Sequence, residues 1–381
     1  MNIKIKGKKG KKIYKIAVIL LIINGVLILP TIGLMKGTMQ DIYLQSCMYY
    51  DSNNGTASND IMTEPTHTEL CSVLTFSNQE TVLFGGNVDT HPDKYSGTLP
   101  YIVVFPPSQE DNTKYGFVVI GWEWKEHRTH YTHFACGINE KGLAFATNGL
   151  PEVSLNFQPE KSQSNPESFK ITALKQCSTI DDVIEKAKTF DWGDSISMQI
   201  HFADATGDAV VISAGKDGEI AFTRKSKKYL VSTNFNKAHP ENGTYPCWRY
   251  NTAVNMLKDI DSITIQNMES VLDAIHVEGT FVNTVFSYIF DLSTGDGYVY
   301  YFHQFDEVVE FNITTELAET TEGAISEWYT FNRLFSPETL NKAAIELWEH
   351  QIWIAILKIV FGITALVVFC FFIYKNVRNR K

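Results

Sequence analysis

The sequence predicts an α+β domain of stacked layers, set between two helices that cross a membrane. Three observations carry this reading. Strand-like and helix-like stretches come in alternating blocks of strands, helices, strands and helices, the pattern of antiparallel sheets layered with helices. Two long apolar stretches, 16–35 and 352–374, bracket those blocks. The charges are segregated: of the 33 Lys and Arg, seven lie in residues 1–15, four in 375–381 and one at Lys358. The remaining 21 basic residues share 36–351 with all 43 Asp and Glu, a formal charge of about −22. At 381 residues the chain is long enough for a sizeable core.

Residues 16–35 carry no charge and are just long enough to span a hydrocarbon core. The basic segment 1–15 precedes them, and no small-residue cleavage site follows, so a retained signal-anchor is expected rather than a cleaved signal peptide. Residues 352–374 form the second span, with Lys358 near the end that follows the acidic region, where it can snorkel to the interface. Trp348 and Trp353 sit where an aromatic belt would lie. Both basic flanks, 1–15 and 375–381, are on the far sides of the spans, so the positive-inside rule puts both termini in the cytoplasm and the middle region outside, or in a lumen. The bilayer is thus one expected partner. Nucleic acid is not, because the middle region lacks a basic footprint. Self-association is left open.

Residues 36–70 read as a segment ahead of the domain, with 51–68 rich in Ser, Asn, Thr and Asp. The domain is expected over 71–345. Residues 72–76 and 81–84 form a hairpin, and 101–105, 115–124 and 142–147 are further strands. Helices follow at 168–176 and 180–190, the second capped by Ser178 or Thr179. Strands return at 197–203, 209–214 and 219–223, helices at 249–257 and 265–274, then strands at 286–292 and 297–302. Three N-glycosylation triplets start at Asn54, Asn242 and Asn312. Cys47, Cys71, Cys136, Cys177 and Cys247 lie outside the spans, an odd number, so at least one thiol is not in an intrachain disulfide. If that thiol is Cys71, the other four allow three connectivities.

Cys71 opens the first strand. Behind it come Gly85-Gly-Asn-Val-Asp89, Gly137-Ile-Asn-Glu-Lys-Gly-Leu143, Thr147-Asn148-Gly-Leu-Pro151, His201-Phe-Ala-Asp-Ala-Thr-Gly-Asp208, Ser232-Thr-Asn234, and Cys247-Trp-Arg249-Tyr250. In that order and spacing the set resembles the N-terminal-nucleophile hydrolases of the penicillin V acylase, choloylglycine (bile-salt) hydrolase and isopenicillin-N acyltransferase group. The resemblance covers about 71–315. It implies a four-layer αββα sandwich, removal of the pro-segment 36–70 by self-cleavage at Leu70–Cys71, and Cys71 as the nucleophile of linear amide C–N hydrolysis. The freed α-amine of Cys71, with a reference pKa near 7.7–8, would then be the general base.

The resemblance also implies roles for four other residues. Asp89 would position the α-amine, Asn234 would donate to the oxyanion, Asn148 would line that hole, and Arg249 would support the cysteine's charge. The substrate would be a small N-acyl amine or N-acyl amino acid, and no cofactor is needed. One departure stands out: bile-salt hydrolases have an Arg where this chain has Gly86, and Asn87 is the polar residue expected to fill part of the gap. The alternatives are acyl transfer from the same acyl-enzyme and an inactive surface binding protein of the same fold. The tract His127, His130 and His133 lacks a completing ligand at metal-site spacing and reads as a polar rim. Trp122 and Trp124 read as strand packing.

Overall fold

The computed structural model describes residues 70–90, 100–110, 112–126, 129–156, 166–240, 247–279, 282–320 and 327–379. The chain divides into two compact units, Leu44–Lys342 and a second formed by Met1–Tyr43 with Ala343–Lys381. The predicted first span, most of the pro-segment, Cys47 and the triplets at Asn54 and Asn242 lie outside the described residues.

The larger unit holds two antiparallel sheets. The first has the order β10-β1-β2-β11-β12-β13, built from β1 (Leu70–Ser77), β2 (Val82–Thr90), β10 (Tyr229–Ser232), β11 (Asn283–Asp291), β12 (Asp296–Tyr301) and β13 (Val309–Asn312). The second has eight strands in the order β14-β3-β4-β5-β6-β7-β8-β9. These are β3 (Tyr101–Phe105), β4 (Phe117–Glu126), β5 (Thr129–Asn139), β6 (Ala144–Ser154), β7 (Ser195–Ala203), β8 (Ala209–Ala214), β9 (Ile220–Arg224) and β14 (Glu327–Thr330). Every residue of β2 and β8 is buried, so both faces of these strands are covered; β8 runs apolar or small without alternation, whereas β2 buries Asn87, Asp89 and Thr90 in its second half.

Helices cover the outer faces. Helices α1 (Pro166–Gln176) and α2 (Ile180–Thr189) place Phe169, Ala173, Leu174, Ile180 and Val183 in one core with Val103, Phe117, Val119 and Phe145 of the eight-stranded sheet. Helices α3 (Trp248–Asp259) and α4 (Ile265–Ala274) place Ala253, Leu257, Met268, Val271 and Leu272 against Leu74, Phe76, Leu83 and Ile289 of the six-stranded one. The layers therefore run helices, sheet, sheet, helices. The predicted N-cap is Thr179, which forms a full capping box with Asp182.

Between the sheets, His201 of β7 bonds Thr75 of β1 through Nε2 (2.9 Å) and Ser232 of β10 through Nδ1 (3.0 Å). Burial pushes this imidazole down to about 3, so it crosses the interior uncharged. Trp122 is buried and meets Phe286 across the interior at 6.4 Å, as strand packing predicts. His133 lies against the same indole at 4.7 Å. His127 and the side chains of Trp124 and His130 lie outside the described residues.

Strands β5, β10, β13 and β14, the short helices α5 (Ile313–Glu319) and α6 (Phe331–Leu334), and the length of the last helix were not expected from the sequence. That helix, α7, runs Pro337–Asn379 and contains the predicted second span. Among the described residues no helix is long and apolar enough to cross a membrane. The side chains at 350, 351, 354, 355, 358 and 374 of α7 lie outside the described residues.

Candidate active site

Cys71 is the second residue of β1, buried at the start of the strand that is second from one edge of the six-stranded sheet, and faces Val88 across the β1–β2 pair. In the intact chain the strand begins one residue earlier, and Leu70 pairs with Asp89. Asp89 thus lies opposite the peptide group that self-cleavage would break.

One turn and one strand pairing bring distant residues to this point. In the β5–β6 hairpin, Asn139 Oδ1 accepts from the Lys141 and Leu143 backbone N–H groups, and Gly142 takes φ 73°. A Cβ at Gly142 would strike the Leu292 carbonyl, so the turn requires glycine. Strand β6 leaves this hairpin and delivers Asn148, whose Nδ2 donates to the Cys71 carbonyl at 2.9 Å. Gln199, paired with Asn148 in register on β7, steadies the segment that carries Asn234 by donating to the carbonyls of Thr233 (2.5 Å) and Phe235 (3.0 Å). Asn234 in turn donates from Nδ2 to the Gly149 carbonyl at 2.8 Å.

Arg249 reaches in from the first turn of α3 with only 1% of its side chain exposed. It donates to Ser72 Oγ (3.1 Å), Asp89 Oδ2 (2.9 Å) and Asn234 Oδ1 (2.8 Å). Removing a charge from water this completely is costly, and the three acceptors, the Asp89 carboxylate among them, offset it. Asp89 also accepts from Thr284 Oγ1 at 2.5 Å. A register shift between Thr284 and Phe286 of β11 accompanies that contact. The Thr284 hydroxyl accepts from the Val277 N–H at 2.8 Å, which leaves its own proton for Asp89. Burial pushes the Asp89 carboxyl up to about 6, although Arg249, Thr284 and the charge of His276 all pull it down. Burial wins because nothing of this side chain touches water.

The structure therefore joins all five predicted residues in one hydrogen-bonded network around the start of β1. One expectation needs correction. Asn87 does not fill the place of the missing Arg: it donates to the Leu272 carbonyl of α4 (2.9 Å) and accepts from Ser287 (2.8 Å), on the helix side of the sheet. In the intact chain, moreover, Asn148 grips the carbonyl of Cys71 itself. Sequence reasoning missed Ser72, Gln199 and Thr284. Ser72 directly follows Cys71 and Gln199 stands two residues before His201 on the same strand, but no local signal marks Thr284.

Cys136 of β5 is buried beside this region, and burial followed by the Cys71 thiol raises it well above the ordinary thiol range, so it stays protonated. No disulfide joins any of the five described cysteines. Among the described residues no group of three His, Cys, Asp or Glu is arranged to hold a metal ion.

Comparison with known proteins bears on the fold. A variant of conjugated bile acid hydrolase from Clostridium perfringens superposes with a TM-score of 0.52 at 17% identity, over 70% of this chain and 98% of that one. A second mutant of the same enzyme gives 0.53, again at 17% identity over 70% and 98%. Penicillin V acylase from Agrobacterium tumefaciens gives 0.50 at 14% identity, over 68% and 90%. No curated protein sequence matches. The fold is the αββα sandwich of the N-terminal-nucleophile hydrolases, and with the family model matching residues 76–293, the chain belongs to the acyl-coenzyme A:6-aminopenicillanic acid acyl-transferase family.

Proposed function

We propose that the chain is a membrane-tethered cysteine N-terminal-nucleophile hydrolase that frees Cys71 by cutting Leu70–Cys71 and then cleaves linear, non-peptide C–N amides. The observation that carries this reading is the network at the start of β1. Asn148 holds the backbone of Cys71, and the Arg249–Asp89 pair stands behind it with Asn234 attached.

In this reading the Cys71 sulfur attacks the amide carbonyl of an N-acyl amine or N-acyl amino acid, forming the S–C bond. The α-amine takes the thiol proton and passes it to the departing amine as the C–N bond breaks. Asn234 donates to the oxyanion that forms between these events. Water then opens the acyl-enzyme and releases the acid. Ionised Asp89 holds the α-ammonium, and Arg249 keeps Asp89 ionised. The family name favours a second reading of the last step, in which an amine in place of water takes the acyl group.

The anchor rests on α7. Its segment 352–374 has one charge, and its described side chains include Ile359, Phe361 and Phe369, which are 62%, 77% and 62% exposed. A helix with such a surface is expected in lipid. Basic residues at 1–15 and 375–381 would keep both termini in the cytoplasm, with the catalytic unit outside or in a lumen.

The test is a screen of detergent-solubilised full-length protein against N-acyl amides of varied acyl and amine parts, with and without acceptor amines. Release of the amine by wild type and its loss in Cys71→Ala is the expected result. A correctly folded, processed protein that turns over none of them would favour a binding protein of the same fold.

A further inference from the structure

One buried hydroxyl is not used by the mechanism above. Tyr288 of β11 is 1% exposed, and among the described residues its hydroxyl has no hydrogen-bond partner. A buried donor left unsatisfied costs stability, so its retention calls for a use.

Its position is set by register. Tyr288 pairs with Gly86, and Gly86 pairs with Val73; one step along, Phe286 pairs with Val88, and Val88 with Cys71. Side chains two residues apart on a strand share a face, so Cys71, Val88, Gly86 and Tyr288 all project to the interior between the sheets. Gly86 has no side chain, and the tyrosine occupies the space. A Cβ at Gly86 would lie 2.7 Å from the Tyr288 hydroxyl oxygen and 3.1 Å from its Cζ, and would strike the Ser72 carbonyl. The phenol therefore extends over β2 toward β1, in the row next to Cys71. Phe84, Phe286 and Phe290 hold the ring, with centroids 6.2, 6.4 and 5.2 Å away.

We propose that the Tyr288 hydroxyl, which has no partner among the described residues while Cys71 is held in the uncut chain, donates to the sulfur of Cys71 in the processed protein and acts as a positioning residue for the thiolate, in the space that Gly86 leaves open. The idea rests on Cys71 being the nucleophile. Burial, then the nearby Cys136 and Cys71 thiols, pushes this phenol well above its ordinary range, so it stays a donor at every working pH. The other titratable and charged groups of the neighbourhood are Cys136 from β5, Asp89 from β2, Arg249 from α3 and His276, whose charge acts on Asp89.

The test uses Tyr288→Phe in the full-length protein, which removes the hydroxyl and keeps the ring. The readout is the pH dependence of iodoacetamide alkylation at Cys71, followed by peptide mass spectrometry so that Cys136, Cys177, Cys247 and Cys370 are scored separately. The midpoint at Cys71 is expected to rise by about one pH unit, with alkylation at pH 7 about tenfold slower and Tm no lower than wild type. An unchanged Cys71 profile, or a shift confined to Cys136, would overturn the proposal. Fluorotyrosine at position 288 keeps the hydroxyl and strengthens it as a donor, so it should move the midpoint down, and no movement again overturns the proposal. Alkylation needs no substrate: a Tyr288-dependent Cys71 profile without amide turnover would sink the proposed function and leave this assignment standing.

Discussion

Replacing Thr284 with Val probes the electrostatics of the site with the least disturbance of shape. The Thr284 hydroxyl donates to Asp89 Oδ1 at 2.5 Å, and that bond is one of the influences holding the carboxyl down near 6 against complete burial. A hydrogen bond to a charged group contributes about 1.5 kcal/mol at the low end of its range, which corresponds to about one pH unit. The variant's Asp89 should then titrate near 7. At pH 6 the ionised fraction would fall about fivefold, at pH 7 about twofold, and at pH 8 hardly at all. If ionised Asp89 holds the α-ammonium of Cys71, the acid limb of kcat/KM should move up by that unit, and full activity should return at pH 8. Thr284→Ser, which keeps the hydroxyl, should track wild type. The assay is a pH profile of amide hydrolysis by the processed protein. A loss that is uniform across pH, or an acid limb that stays in place, would refute the role given to Asp89.

Two further outcomes follow from the buried charges. Arg249→Met should lower stability by about 3–5 kcal/mol, because it strands Asp89, Asn234 and Ser72 without their donor. The double variant with Asp89→Leu should recover part of that loss in urea titrations while staying inactive. His201 titrates near 3 in the fold against about 6.5 unfolded, so the unfolded chain binds the extra proton between those values. Its stabilising contribution is thus fully present above pH 6.5 and is lost as pH falls toward 3, amounting to about 5 kcal/mol at most. Urea titrations at pH 7 and pH 4 should show this loss, and His201→Asn should make it smaller.

Much of this was legible in the sequence, for reasons that differ by residue. The hairpin at Cys71, the two helix pairs and the α2 cap rest on local signals: period-two runs, helical spacing and a Thr three residues ahead of an Asp. The ordered motifs led to all five network residues, yet several motif positions proved to be turn chemistry. Asn139 and Gly142 shape the β5–β6 hairpin, and Asp204 with Gly207 shapes the turn after β7, where Asp204 also accepts from the Ile180 N–H at the start of α2. The misses are non-local. Thr284 is aligned with Asp89 only through strand pairing across 195 residues. Short edge strands such as β10 and β14 carry too few residues for a periodicity to show. Asn312 illustrates the limit of motif reading: its Oδ1 caps α5, and its Nδ2 donates to the Thr294 carbonyl and to Asp296 Oδ1, so a glycan there would compete with the fold.

The proposed chemistry depends most on Cys71 becoming the first residue of a mature chain. The direct measurement is intact mass and N-terminal sequencing of the purified full-length protein beside a Cys71→Ala control. A new N-terminus at Cys71 in the wild type, with an uncut Leu70–Ala bond in the control, is the predicted result. An uncut, correctly folded wild-type chain would contradict it, since the α-amine that serves as the base would then remain locked in a peptide bond.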